Sequence, residues 1–188
     1  MSGGAGNDVL HGRLVESYGD VAGRFFNSRT DDAVDAMDGG SGNDRLFGGN
    51  GDIMSGGEDT DSFTVYFSDT APEGTSQLGA ATITDFEPGS EKIALQVQPR
   101  TSLAGEGNRL MGQVTVNETA EGHSEIMIEG EVVLVVENAV GLTIAINPSA
   151  ETDNLIGSST GLFDNDGNSL TLDEADVVVS VYFDLMYF

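Results

Sequence analysis

Residues 38–65 read DGGSGNDRLFGGNGDIMSGGEDTDSFTV, and this stretch decides the fold. A pair of glycines begins each of three units, at Gly39, Gly48 and Gly56, so successive units are nine and eight residues long. A fourth unit, GGAGNDVLH, begins at Gly3, 36 residues before Gly39. The units at Gly3 and Gly39 match the nonapeptide G-G-x-G-x-D-x-U-x, in which U is a large apolar residue, and the units at Gly48 and Gly56 are degraded copies of it. Four such matches favour a stacked repeat over a glycine-rich linker.

Each unit combines a glycine-rich turn with a very short strand. The first six residues form the turn, because glycine reaches backbone angles that other residues avoid. The last three form a strand whose position-eight residue faces the interior. Strands of this length cannot bury a core alone, so successive turns are expected to stack as a solenoid. Two units make one coil, and equivalent loops then lie about eighteen residues apart.

The spacing of the aspartates predicts a calcium site between two of these loops. Asp44 and Asp61 end the loops 39–44 and 56–61 and are 17 residues apart, because the middle unit has lost one residue. We expect them to supply carboxylate oxygens, with backbone carbonyls added by neighbouring loop residues. A cage of oxygens with flexible six-to-eight coordination suits calcium. The predicted carbonyl ligands include Gly39, Ser41, Gly57 and Asp59.

The opposite edge of the coil carries a second series of aspartates. Asp35 and Asp52 are also 17 residues apart, and the next step of 17 reaches Asp69. These pairs predict further calcium sites, between Asp35 and Asp52 and between Asp52 and Asp69. Asp8 has no aspartate eighteen residues on, where Phe26 stands. Its site is expected to be empty or to be completed by upstream repeats.

The repeats resemble those of the RTX, or haemolysin-type, calcium-binding family. Residues 61–65, DSFTV, look like the closing repeat of that family, in which an aromatic residue replaces the aliphatic one. Residues 83–95, ITDFEPGSEKIAL, resemble the D-F-x-x-G-x-D-x-I-x-L segment that follows the repeats in secreted metalloprotease and alginate epimerase modules. Glu91 stands where that segment usually has an aspartate. The resemblance covers residues 3–146, most closely 38–95, and implies a parallel β-roll that binds calcium.

The fold expected for the chain is therefore all-β, with a parallel β-roll followed by a capping region like a β-sandwich. We expect the roll at 1–66 with a divergent insert at 12–38, the capping region at 67–146, and a linker and C-terminal strand at 147–188. Alternating apolar residues indicate strands beyond the repeats. These strands are Phe63–Phe67, Thr82–Phe86, Lys92–Val97, Leu110–Asn117, Ser124–Glu129, Glu131–Glu137 and Leu142–Ile146.

Composition limits the possible partners. Seven Lys and Arg residues against 32 Asp and Glu residues give a net charge of −25, which argues against nucleic-acid binding. Such self-repulsion opposes compaction, so the repeats should need cations to fold. There is no cysteine, and no apolar run reaches the roughly twenty residues of a membrane-spanning helix. No signal peptide is recognisable, and the sequence opens inside a repeat, so we expect part of the protein to lie upstream.

Two further motifs need specific surroundings to be functional. Residues 157–161, GSSTG, match the nucleophile elbow G-x-S-x-G with Ser159 as the nucleophile, but that motif needs a preceding strand, a following helix and a histidine. His123 is the only histidine in the second half of the chain and is expected in a turn. Residues 164–174 resemble an EF-hand loop with its spacing one residue off, so they are read as a calcium site or as a polar turn.

The sequence predicts a binding module rather than an enzyme. It has no H-E-x-x-H zinc motif and no phosphate-binding Gly-Lys-Ser/Thr loop. Residues 175–188 read as a closing strand, and their acidic and apolar end also resembles the type I secretion signal of the family. The resemblance thus implies the non-catalytic C-terminal part of a larger secreted protein, which passes a type I exporter and folds on calcium outside the cell. The alternatives are a surface adhesin or polysaccharide-binding module, or a hydrolase using Ser159.

Overall fold

The computed structural model describes residues 1–12, 34–68, 79–98, 113–147 and 161–181. These residues form fifteen β-strands and no helix, which confirms the all-β prediction. Within this part of the chain, no helix is long and apolar enough to cross a membrane. The strands are β1 Ser2–Ala5, β2 Val9–His11, β3 Ala36–Ser41, β4 Arg45–Gly48, β5 Ile53–Glu58, β6 Ser62–Ser68, β7 Ala81–Ile83, β8 Lys92–Gln98, β9 Val114–Glu118, β10 Ser124–Ile128, β11 Glu131–Val136, β12 Ile144–Asn147, β13 Leu162–Phe163, β14 Ser169–Leu170 and β15 Val177–Val181.

The strands form two mixed sheets. The seven-stranded sheet has the order β1-β3-β5-β7-β11-β10-β9, and the eight-stranded sheet has the order β14-β13-β12-β15-β8-β6-β4-β2. In the seven-stranded sheet, β10 pairs antiparallel with β9 and β11. In the eight-stranded sheet, β13 pairs antiparallel with β12 and β14. All other neighbouring strands in both sheets pair in parallel. The parallel β-roll itself stays a prediction.

Successive strands of the repeats alternate between the two sheets. β3 pairs with β5 and β4 pairs with β6, and both pairs keep the 17-residue offset that aligns Met37 with Met54 and Leu46 with Phe63. These four position-eight side chains are buried, as the repeat predicts, and they belong to the single apolar core shared by both sheets. Leu10 of the first unit is buried in the same core.

The strands of the first repeat lie directly beside strands of the later repeats in both sheets. β1 pairs directly with β3, and β2 pairs directly with β4, with an offset of 36 residues. Residues 13–33 lie outside the described part of the chain. The prediction that Asp8 lacks an aspartate neighbour, made from a spacing of eighteen residues, is therefore wrong, because Asp44 lies next to Asp8.

Strands downstream of the repeats continue the same two sheets. β6, β8, β9, β10, β11 and β12 match strands predicted from the sequence within a few residues, and β10 and β11 form the expected antiparallel pair around Gly130. β7 pairs with β5 in one sheet, and β8 pairs with β6 in the other. The C-terminal strand β15 lies between β8 and β12 with parallel pairing on both sides. Residues 162–163, expected in a linker, instead form the short strand β13.

Candidate metal centre

The loops that end in Asp8, Asp44 and Asp61 stack with their backbones in contact. Gly40 and Gly57 hold φ angles of 105° and 104°, which favour glycine. A Cβ added to Gly57 would lie 2.1 Å from the carbonyl oxygen of Gly40, well inside van der Waals contact. Gly40 and Gly57, the second glycines of their units, are therefore required both by the backbone angle and by the neighbouring loop.

The last residues of these loops form a ladder of carboxylates. The backbone N–H of Asp8 donates to Oδ1 of Asp44 at 2.7 Å, and the N–H of Asp44 donates to Oδ1 of Asp61 at 2.7 Å. The N–H of Asp61 donates to Oε1 of Glu91 at 3.1 Å. We call Asp8, Asp44, Asp61 and Glu91 the carboxylate ladder. Each member beyond the first accepts a hydrogen bond from the loop before it.

The ladder leaves three buried oxygens without a hydrogen bond. Asp44 is 1% exposed and Asp61 is 2% exposed. Oδ2 of Asp8, Oδ2 of Asp44 and Oδ2 of Asp61 are all buried and have no hydrogen-bond partner. Buried carboxylate oxygens that lack a partner are costly, so native proteins normally pair them or place them on a metal. The three oxygens therefore mark where a cation would fit.

Carbonyl oxygens converge on the same places as these carboxylates. The position that a Cβ of Gly39 would occupy lies 2.4 Å from Oδ2 of Asp44 and 2.4 Å from the carbonyl oxygen of Gly56. The same position at Gly3 lies 2.7 Å from Oδ2 of Asp8 and 2.7 Å from the carbonyl oxygen of Gly39. Any side chain at these glycines would fill the cradle, so the first glycine of the unit keeps it open.

Burial and neighbouring negative charges shift two of the ladder carboxyls. Burial is the main cause that raises the pKa of Asp61, and the charges of Asp44 and Asp85 add to it. Burial raises the pKa of Glu91 to about 7, with smaller contributions from Asp61 and Asp85. Hydrogen bonds from Asp61 N–H and Glu87 N–H oppose the shift at Glu91. A cation beside the ladder would relieve this repulsion.

The predicted carbonyl ligands differ in their surroundings. Gly39 is buried next to Asp44, and the carbonyl of Ser41 already accepts a hydrogen bond from Gly6 N–H at 2.8 Å. Gly57 and Asp59 are exposed in the last loop of the stack. Asp59 stands where the preceding loop has a glycine, and it keeps a positive φ of 81°.

On the opposite edge of the coil, the predicted pair Asp35 and Asp52 also lies together, but the carboxylate oxygens of Asp52 already accept hydrogen bonds. Asp35 N–H donates to Oδ1 of Asp52 at 2.9 Å, and Gly49 N–H donates to Oδ2 at 2.7 Å. Asp52 is 2% exposed, and both of its oxygens accept hydrogen bonds. Asp69 lies outside the described residues. In the register of β5 and β7, Ala81 is the residue next to Asp52.

Asp85 has a role that the sequence reasoning did not assign. Its carboxylate accepts hydrogen bonds from Ser55 Oγ at 2.6 Å, Gly56 N–H at 2.9 Å and Gly57 N–H at 3.0 Å. It thereby satisfies the donors that begin the last loop, and Glu91 satisfies the N–H of Asp61. The only signal in the sequence was the position of Asp85 in the segment 83–95 after the repeats.

Residues 164–168 and His123, two of the other candidate features of the sequence, lie in turns. Residues 164–168 form the turn of an antiparallel hairpin between β13 and β14. Oδ2 of Asp164 accepts a hydrogen bond from Nδ2 of Asn168 at 2.7 Å, and this contact, with the N–H groups of Asn168 and Asp166 that donate to Oδ1, lowers the pKa of Asp164. His123 lies in the turn before β10, as expected. Ser159 lies outside the described residues.

A metal held by the ladder would need backbone oxygens as well as side chains. Among the residues that the structure describes, no group of three or more His, Cys, Asp or Glu side chains is arranged to hold a metal ion. Each level of the ladder offers two carboxylates, and the converging carbonyls of Gly39 and Gly56 are the additional donors.

Comparison with known proteins assigns no family, since no protein-family model matches the chain and no curated protein matches it. The functional argument therefore depends on the residues and contacts described above.

Proposed function

We propose that this chain is a calcium-binding β-roll module of the RTX type. The observation that carries the proposal is the row of three buried, unpartnered Oδ2 atoms on Asp8, Asp44 and Asp61. Hydrogen bonds already fix the Oδ1 atoms of Asp44 and Asp61, so both carboxylates are oriented with the second oxygen available to a ligand. A ligand that satisfies only oxygens, deep in an acidic site, is a cation.

The donor set favours calcium over other metals. The ladder supplies carboxylate and carbonyl oxygens, and the chain contains no cysteine. Calcium takes six to eight oxygen ligands in variable geometry, whereas magnesium demands a small octahedral site and retains several waters. One ion would be held between the loops of Asp44 and Asp61, as the sequence predicts, and a second between those of Asp8 and Asp44.

Charge links calcium binding to folding. The chain has a net charge of −25 and three buried carboxylate oxygens without a hydrogen bond. Without a cation, charge repulsion and the cost of burying these oxygens destabilise the folded state. An ion that binds only the folded state stabilises that state by mass action. At about 10⁻⁴ to 10⁻³ M, the affinity of extracellular calcium modules would keep the chain unfolded in the cytoplasm and fold it outside.

The cellular role extends the resemblance in the repeats. The module would be the non-catalytic C-terminal part of a larger secreted protein, exported by a type I secretion system through the address in residues 175–188. Folding would follow export, because calcium is scarce before it and abundant after it. This part of the proposal is supported by the sequence resemblance and by the predicted dependence of folding on calcium.

A calcium titration followed by far-UV circular dichroism tests the metal proposal. The expected result is a cooperative gain of β-signal near millimolar calcium that magnesium does not reproduce. Asp44→Asn keeps an acceptor for Asp8 N–H and removes the anionic oxygen, so it should raise the calcium midpoint by about tenfold, equivalent to 1.4 kcal/mol. Glu58→Gln removes one charge from an exposed residue of the last loop and serves as the matched control.

Two results would contradict the proposal. A chain that is fully folded in calcium-free buffer and insensitive to calcium would show that the repeats need no metal. Equal midpoint shifts for Asp44→Asn and Glu58→Gln would show that calcium only screens the overall charge, without a site at the ladder.

A second candidate function, glycan binding, is favoured by one face of the eight-stranded sheet. In β2, β4, β6 and β8, alternate residues point away from the core, and none of those described carries a carboxylate although the chain has 32 Asp and Glu residues. We call this set the outer face. Its described members are Val9, His11, Arg45, Phe47, Ser62, Thr64, Tyr66, Lys92, Ala94 and Gln96.

The outer face combines flat rings with positive charge. The rings of His11 and Phe47 stack with centroids 4.5 Å apart and an interplanar angle of 13°. Arg45 is exposed beside them, whereas Lys92 donates to the carbonyls of Asp173 and Ala175. Sugar rings stack on aromatic faces, and a guanidinium pairs with carboxylate or sulfate groups. An acidic polysaccharide is the ligand class that this combination favours.

Affinity electrophoresis in gels containing an acidic polysaccharide tests this candidate in the presence of calcium. Retardation should be lost in Phe47→Ala and Arg45→Ala and kept in Ile53→Ala, which changes an exposed residue of the other sheet. Unchanged retardation in both outer-face variants, or none for the wild type, would remove the candidate.

A further inference from the structure

A second row of hydrogen bonds runs beside the carboxylate ladder, at the fifth residue of each loop. Oδ1 of Asn7 accepts the N–H of Asn43 at 3.0 Å, and Oδ1 of Asn43 accepts the N–H of Thr60 at 3.3 Å. We call Asn7, Asn43 and Thr60 the fifth-position row. Each of its members comes immediately before an aspartate of the carboxylate ladder. The row is therefore covalently next to the carboxylates that are proposed to hold calcium.

The two rows connect neighbouring loops in opposite directions. In the ladder, the N–H of Asp44 donates forward to Oδ1 of Asp61 in the next loop. In the fifth-position row, the N–H of Thr60 donates backward to the side chain of Asn43. An N–H can only meet the oxygen of a side-chain amide, so this contact also fixes which way the amide of Asn43 points. The two loops are thus joined by donors from both sides.

The fourth residue of each loop adds a third connection. The N–H of Gly6 donates to the carbonyl of Ser41 at 2.8 Å, and the N–H of Gly42 donates to the carbonyl of Glu58 at 3.2 Å. Both pairs of neighbouring loops are therefore joined by hydrogen bonds at the fourth, fifth and sixth positions. Among these three bonds, the one at the fifth position has an uncharged side chain as its acceptor. It can be removed without changing a charge or the backbone.

The separation of two stacked loops determines the distance between the cation donors that they supply. Oδ2 of Asp44 and the carbonyl oxygen of Gly56 each lie 2.4 Å from the same point beside Gly39. Asp44 belongs to one loop and Gly56 to the next, so a change in loop separation moves one donor relative to the other. Asn7 and Asn43 are exposed, and a single exposed hydrogen bond contributes little to folding. Their main effect is therefore on this distance.

We propose that Asn7 and Asn43 are positioning residues that determine metal specificity, because they fix the separation of the stacked loops and so set the size of the calcium cage. The inference rests on the proposed calcium-binding function. Selection among hard cations depends on cavity size, on the number of ligands and on the rigidity of the site. A cage of fixed size prefers the ion whose radius fits it, and a loosened cage accepts a larger ion such as strontium nearly as well.

Parallel titrations with calcium and strontium, each followed by far-UV circular dichroism, test the proposal on the full chain. Asn43→Ala removes the acceptor for the N–H of Thr60 and keeps every backbone group. We expect the calcium midpoint to rise about threefold to tenfold, the range that corresponds to one hydrogen bond. The strontium midpoint should rise less, so the ratio of the strontium to the calcium midpoint should fall about threefold or more. A purely structural defect would raise both midpoints equally.

Two matched variants separate the acceptor from the charge and from the position. Asn43→Asp keeps an oxygen where the N–H of Thr60 needs one, so it should restore the wild-type ratio, while its added charge acts on both divalent ions alike. Thr60→Ala changes an exposed side chain at the same loop position and keeps the N–H, so the ratio should not change. Amide hydrogen exchange at Thr60 in the calcium-loaded chain should become faster in Asn43→Ala.

If Asn43→Ala does not fold in calcium, Asn7→Ala decides, because it removes the equivalent acceptor from the exposed first loop and should lower the ratio in the same way. An unchanged ratio in the folded alanine variant, or the same low ratio in Asn43→Asp, would overturn this inference and leave the calcium proposal standing. A wild-type chain that binds no calcium would overturn both. The two failures are therefore distinguishable.

Discussion

Asp8 and Asp44 are joined by a 2.7 Å hydrogen bond from the N–H of Asp8 to Oδ1 of Asp44, although 36 residues separate them in sequence. Asp44 and Asp61 make the same bond over only 17 residues. The loop that ends at Asp8 and the loop that ends at Asp44 are therefore immediate neighbours in the stack. On the far side, Gly12 N–H donates to the carbonyl of Phe47 at 2.9 Å, so the strands also stay in register up to the insert.

This relationship predicts that the insert can be replaced. In the regular turn between β4 and β5, only residues 49–51 separate Gly48 from Asp52. In the pairing of the strands, Gly48 corresponds to Gly12 and Asp52 corresponds to Asp35. We expect that replacing residues 13–34 by Gly-Asn-Gly, copied from 49–51, keeps the calcium-induced circular dichroism signal and the calcium midpoint. A Cβ at Gly12 would lie 3.2 Å from Cβ of Asp35, so the two ends of the replaced segment are already adjacent.

The control for this replacement is a second variant in which residues 13–34 become Gly-Gly-Asn-Gly, one residue longer but equally flexible. Both variants should fold, because a loop on the surface tolerates one extra residue. A loss of the calcium response in both would mean that the insert contributes contacts of its own to the fold.

Asp59 provides a prediction about backbone strain. It holds a φ of 81° where Gly42 of the preceding loop has 115°. Residues with a Cβ are disfavoured in this region, and aspartate is tolerated better than alanine. Asp59→Gly should raise the unfolding free energy in calcium by up to about 1 kcal/mol, whereas Asp59→Ala should lower it. Urea unfolding of the calcium-loaded chain measures both.

The opposite changes in unfolding free energy expected for Asp59→Gly and Asp59→Ala distinguish backbone strain from the loss of a metal ligand. Both substitutions keep the backbone carbonyl of Asp59 and remove its carboxylate. If the carboxylate were a calcium ligand, both variants would raise the calcium midpoint, so a common increase would contradict the backbone explanation.

The repeats could be predicted from sequence because glycine spacing and apolar spacing specify the same structure. The burial of Leu46 and Phe63 and the pairing of Asp44 with Asp61 follow from a period of nine residues and one deletion. The pairing of Asp8 with Asp44 could not be predicted in this way, because a looped-out insert and a set of eroded repeats occupy the same number of residues. The pairing of β1 with β3 is what shows that the loops of Asp8 and Asp44 are neighbours.

The residues that close the stack were harder to predict for a different reason. Asp85 and Glu91 act through hydrogen bonds to backbone N–H groups of loops about thirty residues earlier. No periodicity marks such a contact, since the segment 83–95 has left the repeat. Likewise, the position of β15 between β8 and β12 depends on long-range parallel pairing, which local patterns do not specify.

Glu91 makes folding in the absence of calcium depend on pH. Its pKa is raised from 4.5 to about 7 in the folded chain, so the folded state holds a proton that the unfolded state has lost between these values. The stability contributed by the protonated carboxyl is therefore present at low pH and is lost as pH rises toward 7. In calcium-depleted buffer, the β-signal should increase as pH falls from 8 to 5. This one group raises the free energy of unfolding by at most about 1.4 kcal/mol for each pH unit of the fall.

Glu91→Gln isolates this group from the titration of the other carboxylates. A neutral amide resembles the protonated carboxyl, so the variant should show a smaller dependence on pH across this range. Glu87→Gln, at an exposed residue four positions earlier, is the charge-matched control. Identical pH profiles for the wild type and Glu91→Gln would assign the effect to net charge instead.

The C-terminal strand should be necessary for the eight-stranded sheet as a whole. β15 supplies the parallel neighbour of both β8 and β12, and β13 and β14 are joined to the sheet only through β12. Asp176, just before it, accepts hydrogen bonds from Gly89 N–H at 2.8 Å and Thr143 N–H at 2.9 Å. The end of the chain thus holds together segments that lie far apart in sequence.

Two neighbouring positions of β15 test this role. Val179 is fully buried in the core, and Val178 points to the other side of the sheet and is half-buried. Val179→Asp places an unpaired charge in the core and should cost about 3 kcal/mol or more, while Val178→Asp should cost much less. Urea unfolding in saturating calcium measures the difference. Equal, small effects would mean that residues 177–181 are not packed in the sheet and act only as a terminal segment.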